Sequence, residues 1–212
     1  MTSSRPCVYC GGRPGDTQDH VPPRGFFPRK CPNDVQLLTV PCCEPCRVSD
    51  QKTDTFVRDV LAGLLEVEAH PCVNEHVMGR VLRSVRRGGK NLQRMIEILK
   101  TQETTVLTPD GSQLATLPAL NLDVPEFDRF FERVGRAVLF YAYSKEFFPA
   151  ESDWIAKVQI PKEYLALMRA ILDVFEYCAT PVISGRQYVL VRFYQALSFM
   201  VRFKIEEAEQ AP

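Results

Sequence analysis

Four cysteines stand in two C-x-x-C pairs, Cys7-Val8-Tyr9-Cys10 and Cys43-Glu44-Pro45-Cys46, with 32 residues between them. A tight turn lets each pair offer both sulfurs to one tetrahedral ion, so two pairs together specify zinc held by thiolates at about 2.3 Å. Such a site contributes roughly 10–16 kcal/mol of apparent binding energy, which replaces the core that a short segment cannot build. Cys42 offers the second pair an alternative register; Cys43 keeps the two-residue spacer and leaves Cys42 and Cys31 as packed or partly exposed thiols. A redox C-x-x-C is the competing reading and needs one pair free of metal.

Between the pairs lies Thr17-Gln18-Asp19-His20-Val21-Pro22-Pro23-Arg24, an acid beside an imidazole on a short strand that should end at the prolines. Neutral histidine, with a reference pKa of about 6.5, removes a proton from water near neutral pH. A carboxylate can hold the divalent ion that stabilises the leaving oxygen of a phosphoester. Neighbours on a strand point to opposite faces, so the two meet one pocket only if the strand twists or kinks.

The elements that position these groups read as follows. Residues 1–48 are turn-rich (CGGRPGD, PPRG, KCPND) with one good apolar run, VQLLTV, so they cannot form a core alone. Phe56, Val57, Val60, Leu61, Leu64 and Leu65 recur at helical spacing and predict a helix over 51–68, with Ser49 or Asp50 as its N-cap. Two short helices follow, one around Val77–Val85 and one around Leu92–Leu99, broken at Gly88-Gly89. A hairpin is expected around Asp110-Gly111, then helices over Phe127–Val138 and from Pro161 through Phe175. QYVLVRFY and LSFMVRFKI read as strands, and 205–212 as a frayed end. The fold class is therefore α+β: an N-terminal zinc module with its following helix over 1–68, then a mixed helical and antiparallel-sheet domain over 69–212.

Composition narrows the setting. Apolar residues make up 45% of the 212, and lysine plus arginine balances aspartate plus glutamate at 26 each. The chain should fold, and only local charge can speak for a polyanionic partner. The start lacks a signal-peptide pattern and no run approaches the roughly 20 apolar residues of a membrane span. A cytoplasmic protein without a membrane partner is the expectation, and reduced thiols on a metal suit it.

The order C-x-x-C, DHVPP with Phe26-Phe27 behind it, LLTVP, C-x-x-C and a helix resembles the HNH nuclease family in its zinc-bearing form. The likeness covers residues 5–60, and GRAVLFYAYSKEFFP with the C-terminal aromatic strands is similar, less specifically, to the partner domain of that group. The resemblance implies a treble-clef-like ββα unit and a DNA endonuclease dependent on magnesium or another divalent ion. In it His20 is the general base, Asp19 holds the catalytic ion, and Cys7, Cys10, Cys43 and Cys46 hold structural zinc. Two positions depart from the family pattern. Gln36 stands where asparagine commonly orients the histidine, with Asn33 just upstream, and Arg47 stands where histidine or asparagine completes the ion site. Arginine stays protonated and cannot ligate a cation. Asp50 could substitute for it, or could simply cap the helix. The chain is then either an active nuclease with an altered ligand set or a catalytically impaired HNH-fold module that binds nucleic acid or protein.

For the DNA backbone, Arg24, Arg29, Lys30 and Arg47 flank the expected site. Residues 79–100 add seven lysines or arginines against one glutamate, either a phosphate-tracking patch or a solvated face balanced by acidic neighbours. His70 and His76 flank Pro71-Cys72 and suggest either a second metal site or a connector with incidental imidazoles.

Overall fold

The computed structural model describes residues 5–30, 32, 35–87, 90–99, 102–107, 113–119, 122, 124–143, 151–156 and 158–204. Cys31, Asn33, Gly88-Gly89, the Asp110-Gly111 turn and the tail 205–212 lie outside them. The first elements are a short antiparallel pair, β1 (Thr17–Val21) and β2 (Leu38–Cys42), whose register sets Asp19 opposite Val40 and His20 opposite Thr39. As expected, β1 stops at the residue before Pro22.

Helices α1 (Glu44–Ser49) and α2 (Gln51–Ala62) abut at Asp50. The helix expected over 51–68 ends early because Gly63 takes its C-cap and donates its amide back to Asp59 and Val60, and only a short 3-10 turn, Leu65–Val67, follows. Neither expected cap acts as one: Ser49 bonds the Cys46 carbonyl, and Asp50 makes no capping bond. A π-turn, Val73–Val77, leads into α3 (Met78–Arg86), and α4 (Lys90–Leu99) follows. Strands β3 (Gln102–Leu107) and β4 (Gln113–Ala119) pair antiparallel. Then comes α5 (Pro125–Tyr143), the longest helix among the described residues.

The remainder builds an antiparallel sheet from β5 (Glu151–Ala156), β6 (Arg169–Ile171), β7 (Phe175–Ala179), β8 (Arg186–Phe193) and β9 (Leu197–Lys204), in the order β5-β9-β8-β7-β6. Along β9, Leu197, Phe199, Val201 and Phe203 are buried while Ser198, Met200, Arg202 and Lys204 face outward, as a half-buried strand requires. The helix expected from Pro161 through Phe175 is instead a single turn, α6 (Lys162–Leu165), and then β6, a turn and β7. Leu165, Met168, Ile171, Leu172 and Phe175 fit a helical period, but Leu172 sits at φ 53° in the turn and Leu165 and Leu167 are exposed. Periodicity over so short a run does not separate helix from hairpin.

Helix α5 lays Phe127, Phe130, Phe131, Val134 and Val138 against the buried face of the sheet, and Phe131 meets Phe199 at a ring-centroid distance of 4.4 Å. Gly135 lets the two approach: a Cβ there would lie 2.6 Å from the Phe203 ring. Phe26, fully buried, stacks on Phe130 at 5.5 Å and packs on Phe193 at 5.4 Å, so the loop after β1 is anchored in the same core. One buried cluster runs from Cys7 to Phe203. No helix among the described residues is long and apolar enough to cross a membrane.

Candidate functional site

The four cysteines converge. Cys7 to Cys10 form a turn closed by the Gly11 amide on the Cys7 carbonyl at 2.8 Å, with Gly11 at φ 64°, a conformation open to glycine. Cys43 sits just before α1 and Cys46 within its first turn. The Val8 amide bonds the Pro41 carbonyl at 3.0 Å and ties one knuckle to the other. All four sulfurs lie within 4.8 Å of one another, and Cys10 Sγ is 3.8 Å from Cys43 Sγ. Sulfurs on a tetrahedral zinc, each at about 2.3 Å from the ion, are about 3.8 Å apart, so this set could hold such a metal. Burial pushes the Cys43 thiol up, but hydrogen bonds from the Cys46 amide and from the thiols of Cys46, Cys7 and Cys10 bring it down to about 7. Cys42, the rival for the second pair, lies outside the cluster: it is fully buried, its carbonyl accepts from the Thr17 hydroxyl at 2.7 Å, and burial pushes its thiol up to about 11.

Strand alternation separates Asp19 from His20. The half-buried His20 places Nδ1 3.4 Å from the Thr39 hydroxyl oxygen, and that hydroxyl lies 3.3 Å from the Leu37 carbonyl to which it donates. The hydroxyl has one proton for two acceptors, the Leu37 carbonyl and Nδ1; in the tautomer with Nδ1 protonated, its oxygen accepts from Nδ1–H and Nε2 carries the lone pair. Nε2 has no hydrogen-bond partner among the described residues. Thr39 is itself fixed by Tyr141 of α5, whose hydroxyl accepts from the Thr39 amide and donates to the Thr39 carbonyl, both at 2.7 Å. Gln36 is exposed and lies before β2, so Thr39 and not Gln36 faces the imidazole.

Asp19 points the other way, into a cluster centred on Arg133 of α5. Asp19 accepts from Arg133 Nη2 at 2.5 Å and from the Tyr9 hydroxyl at 2.8 Å; Asp54 accepts from Nη1 at 2.7 Å. Asp50 Oδ2 lies 3.2 Å from Nε, near enough to pair but without the alignment of a hydrogen bond. The guanidinium also rides 4.8 Å over the Tyr9 ring. Three carboxylates share one cation in a site where each side chain is 16% exposed or less. Burial and the charges of Asp19 and Asp50 outweigh Arg133 and raise the Asp54 carboxyl to about 7. The two acids expected to hold a catalytic ion, Asp19 and Asp50, therefore already hold a guanidinium.

No family model, curated protein or solved structure matches this chain.

Arg24, Arg29 and Lys30 are exposed on the loop that follows β1. Arg47 is not a free cation: it forms a two-pronged pair with Glu44, at 2.9 and 2.6 Å. The basic run 79–100 divides, because Arg94 pairs with Glu126 at 2.7 Å through both terminal nitrogens while Arg83, Arg86 and Arg87 are exposed. His70 turns to the Asp173 carbonyl at 3.1 Å and His76 to Glu75 at 3.8 Å, and among the described residues the metal-capable cluster is the four cysteines. Sequence reasoning missed Thr39, Arg133 and Tyr141. Arg133 carried a signal, a charge inside the apolar stripe of α5; Thr39 and Tyr141 depend on register and docking, which no local pattern encodes.

Proposed function

We propose that this chain is an HNH-type nuclease acting on nucleic-acid phosphodiesters, its treble-clef-like N-terminal module held by structural zinc on Cys7, Cys10, Cys43 and Cys46. The observation that carries the reading is His20 on β1, with Nδ1 3.4 Å from the Thr39 hydroxyl, Nε2 without a partner among the described residues, and the cations of Arg24, Arg29 and Lys30 beginning four residues downstream. With Nδ1 protonated against Thr39, Nε2 suits proton abstraction from an attacking water. Thr39 takes the orienting role expected of Gln36. A magnesium or similar ion would supply charge stabilisation at the phosphate; Asp19 and Asp50, which face Arg133 on the side of β1 away from His20, would hold it only if Arg133 were displaced and β1 turned.

The Arg133 cluster favours a second reading. If the guanidinium stays between Asp19, Asp50 and Asp54 permanently, it stands in for the ion and the chain binds nucleic acid without cutting it. Plasmid nicking with magnesium, manganese and nickel, run beside duplex binding, separates the two. Nicking by the wild type that falls at least a hundredfold in His20→Ala is expected for the nuclease. Binding with no nicking under any of the three ions leaves the second reading; neither binding nor nicking removes both.

A further inference from the structure

Helix α3 carries its charge in a stripe. Arg80, Arg83 and Arg87 recur at i, i+3 and i+7 and so share a face, while Val77 and Val81 are buried on another. Arg83 and Arg87 are exposed, and neither pairs with a carboxylate among the described residues. Arg80 reaches back to the loop after β1 and donates from Nη1 to the carbonyls of Gly25 and Phe27, the latter at 2.8 Å. Arg58 of α2 lies against the same loop, since a Cβ on Gly25 would stand 3.1 Å from its Nη1, and it pairs with Asp59. Arg80 has only carbonyl partners among the described residues. Burial, and then the like charges of Arg58 and Arg29, hold its guanidinium below the usual range. A partly buried cation whose partners are neutral carbonyls, with Arg29 near it, keeps a positive field that an anion relieves.

We propose that the face running from Arg24 and Arg29 through Arg80 to Arg83 and Arg87 is a track for a phosphodiester backbone; this rests on the nucleic-acid reading above and names the surface that seats the nucleic acid. The spacing fits. Seven residues of helix rise about 10 Å, and one strand of a duplex presents a phosphate every 3.4 Å of axis, so the α3 stripe spans about three phosphates.

The test is fluorescence anisotropy with labelled duplex DNA and duplex RNA over about 50–200 mM salt, comparing the wild type with an Arg83→Gln, Arg87→Gln double variant. Both positions are exposed, so an unchanged melting temperature shows that the fold is intact. The expected result is a loss of affinity of tenfold or more at low salt, with the slope of log K against log salt shallower by about 2, because each lost phosphate contact removes about 0.9. Loss on one duplex and not the other supports the track and assigns its source as DNA or RNA. Equal affinity and slope in wild type and variant overturn the track, and His20-dependent nicking then keeps the nuclease reading intact. No binding of either duplex by the wild type overturns the track, and with no nicking as well it overturns the nucleic-acid reading too. Capture of anionic lipid vesicles in place of either duplex overturns the track in favour of a membrane surface.

Discussion

At the scale of single residues, the contrast between His20 and Asp19 decides what the site can do. Both come from one dipeptide, yet β1 turns the imidazole toward Thr39 and the carboxylate toward Arg133. Asp54 shares that cation and titrates against its usual sense. A carboxyl raised to about 7 in the folded chain, from about 3.9 when unfolded, binds a proton that the unfolded chain does not hold in between. Its contribution is full below about pH 4 and is lost as the pH climbs through about 7. Lowering the pH from 8 to 5.5 should therefore raise the stability of the wild type relative to Asp54→Asn by about 2 kcal/mol, measured as the difference of their denaturant midpoints. A difference that shrinks on acidification means that Arg133 outweighs burial and holds the carboxylate ionised.

At the scale of elements, α5 and the cysteine knuckles hold one another. Arg133 and Arg136 both reach the Tyr9 knuckle, Arg136 by donating to the Tyr9 carbonyl, while Tyr141 fixes the β2 backbone at Thr39. The β1–β2 pair is too small to stand alone, since an isolated two-stranded hairpin is marginal in water. It is held by α5 on one side, and the four cysteines could add a metal on the other. Protein purified without chelator should carry one zinc per chain by elemental analysis. Stripping it with a strong chelator should expose the segment around residues 5–50 to protease before the β5–β9 sheet opens. Equal protease resistance with and without metal would leave α5 as the sole support.

At the scale of the whole molecule, a single core is closed where α5 lies on the five-stranded sheet. Gly135→Ala tests that closure. Alanine is worth about 1 kcal/mol more than glycine inside a helix, but its Cβ would overlap the fully buried Phe203 ring at 2.6 Å and crowd Val201 at 3.1 Å. Overpacking of that kind costs about 1–3 kcal/mol, so a net fall in the denaturant midpoint is expected, and a rise would show that the ring can move aside. The α+β class, the four-cysteine cluster and the β8 and β9 strands were legible from the residues alone, because ligand spacing and strand alternation are local patterns that survive without knowledge of packing. The residues alone could not separate helix from hairpin between Pro161 and Phe175, where one apolar period fits both. That Thr39 faces His20, and that Arg133 binds Asp19, Asp50 and Asp54, emerged from the folded chain. Those partners lie up to 114 residues apart, and such pairing is fixed by strand register and helix docking, which no short stretch of chain specifies.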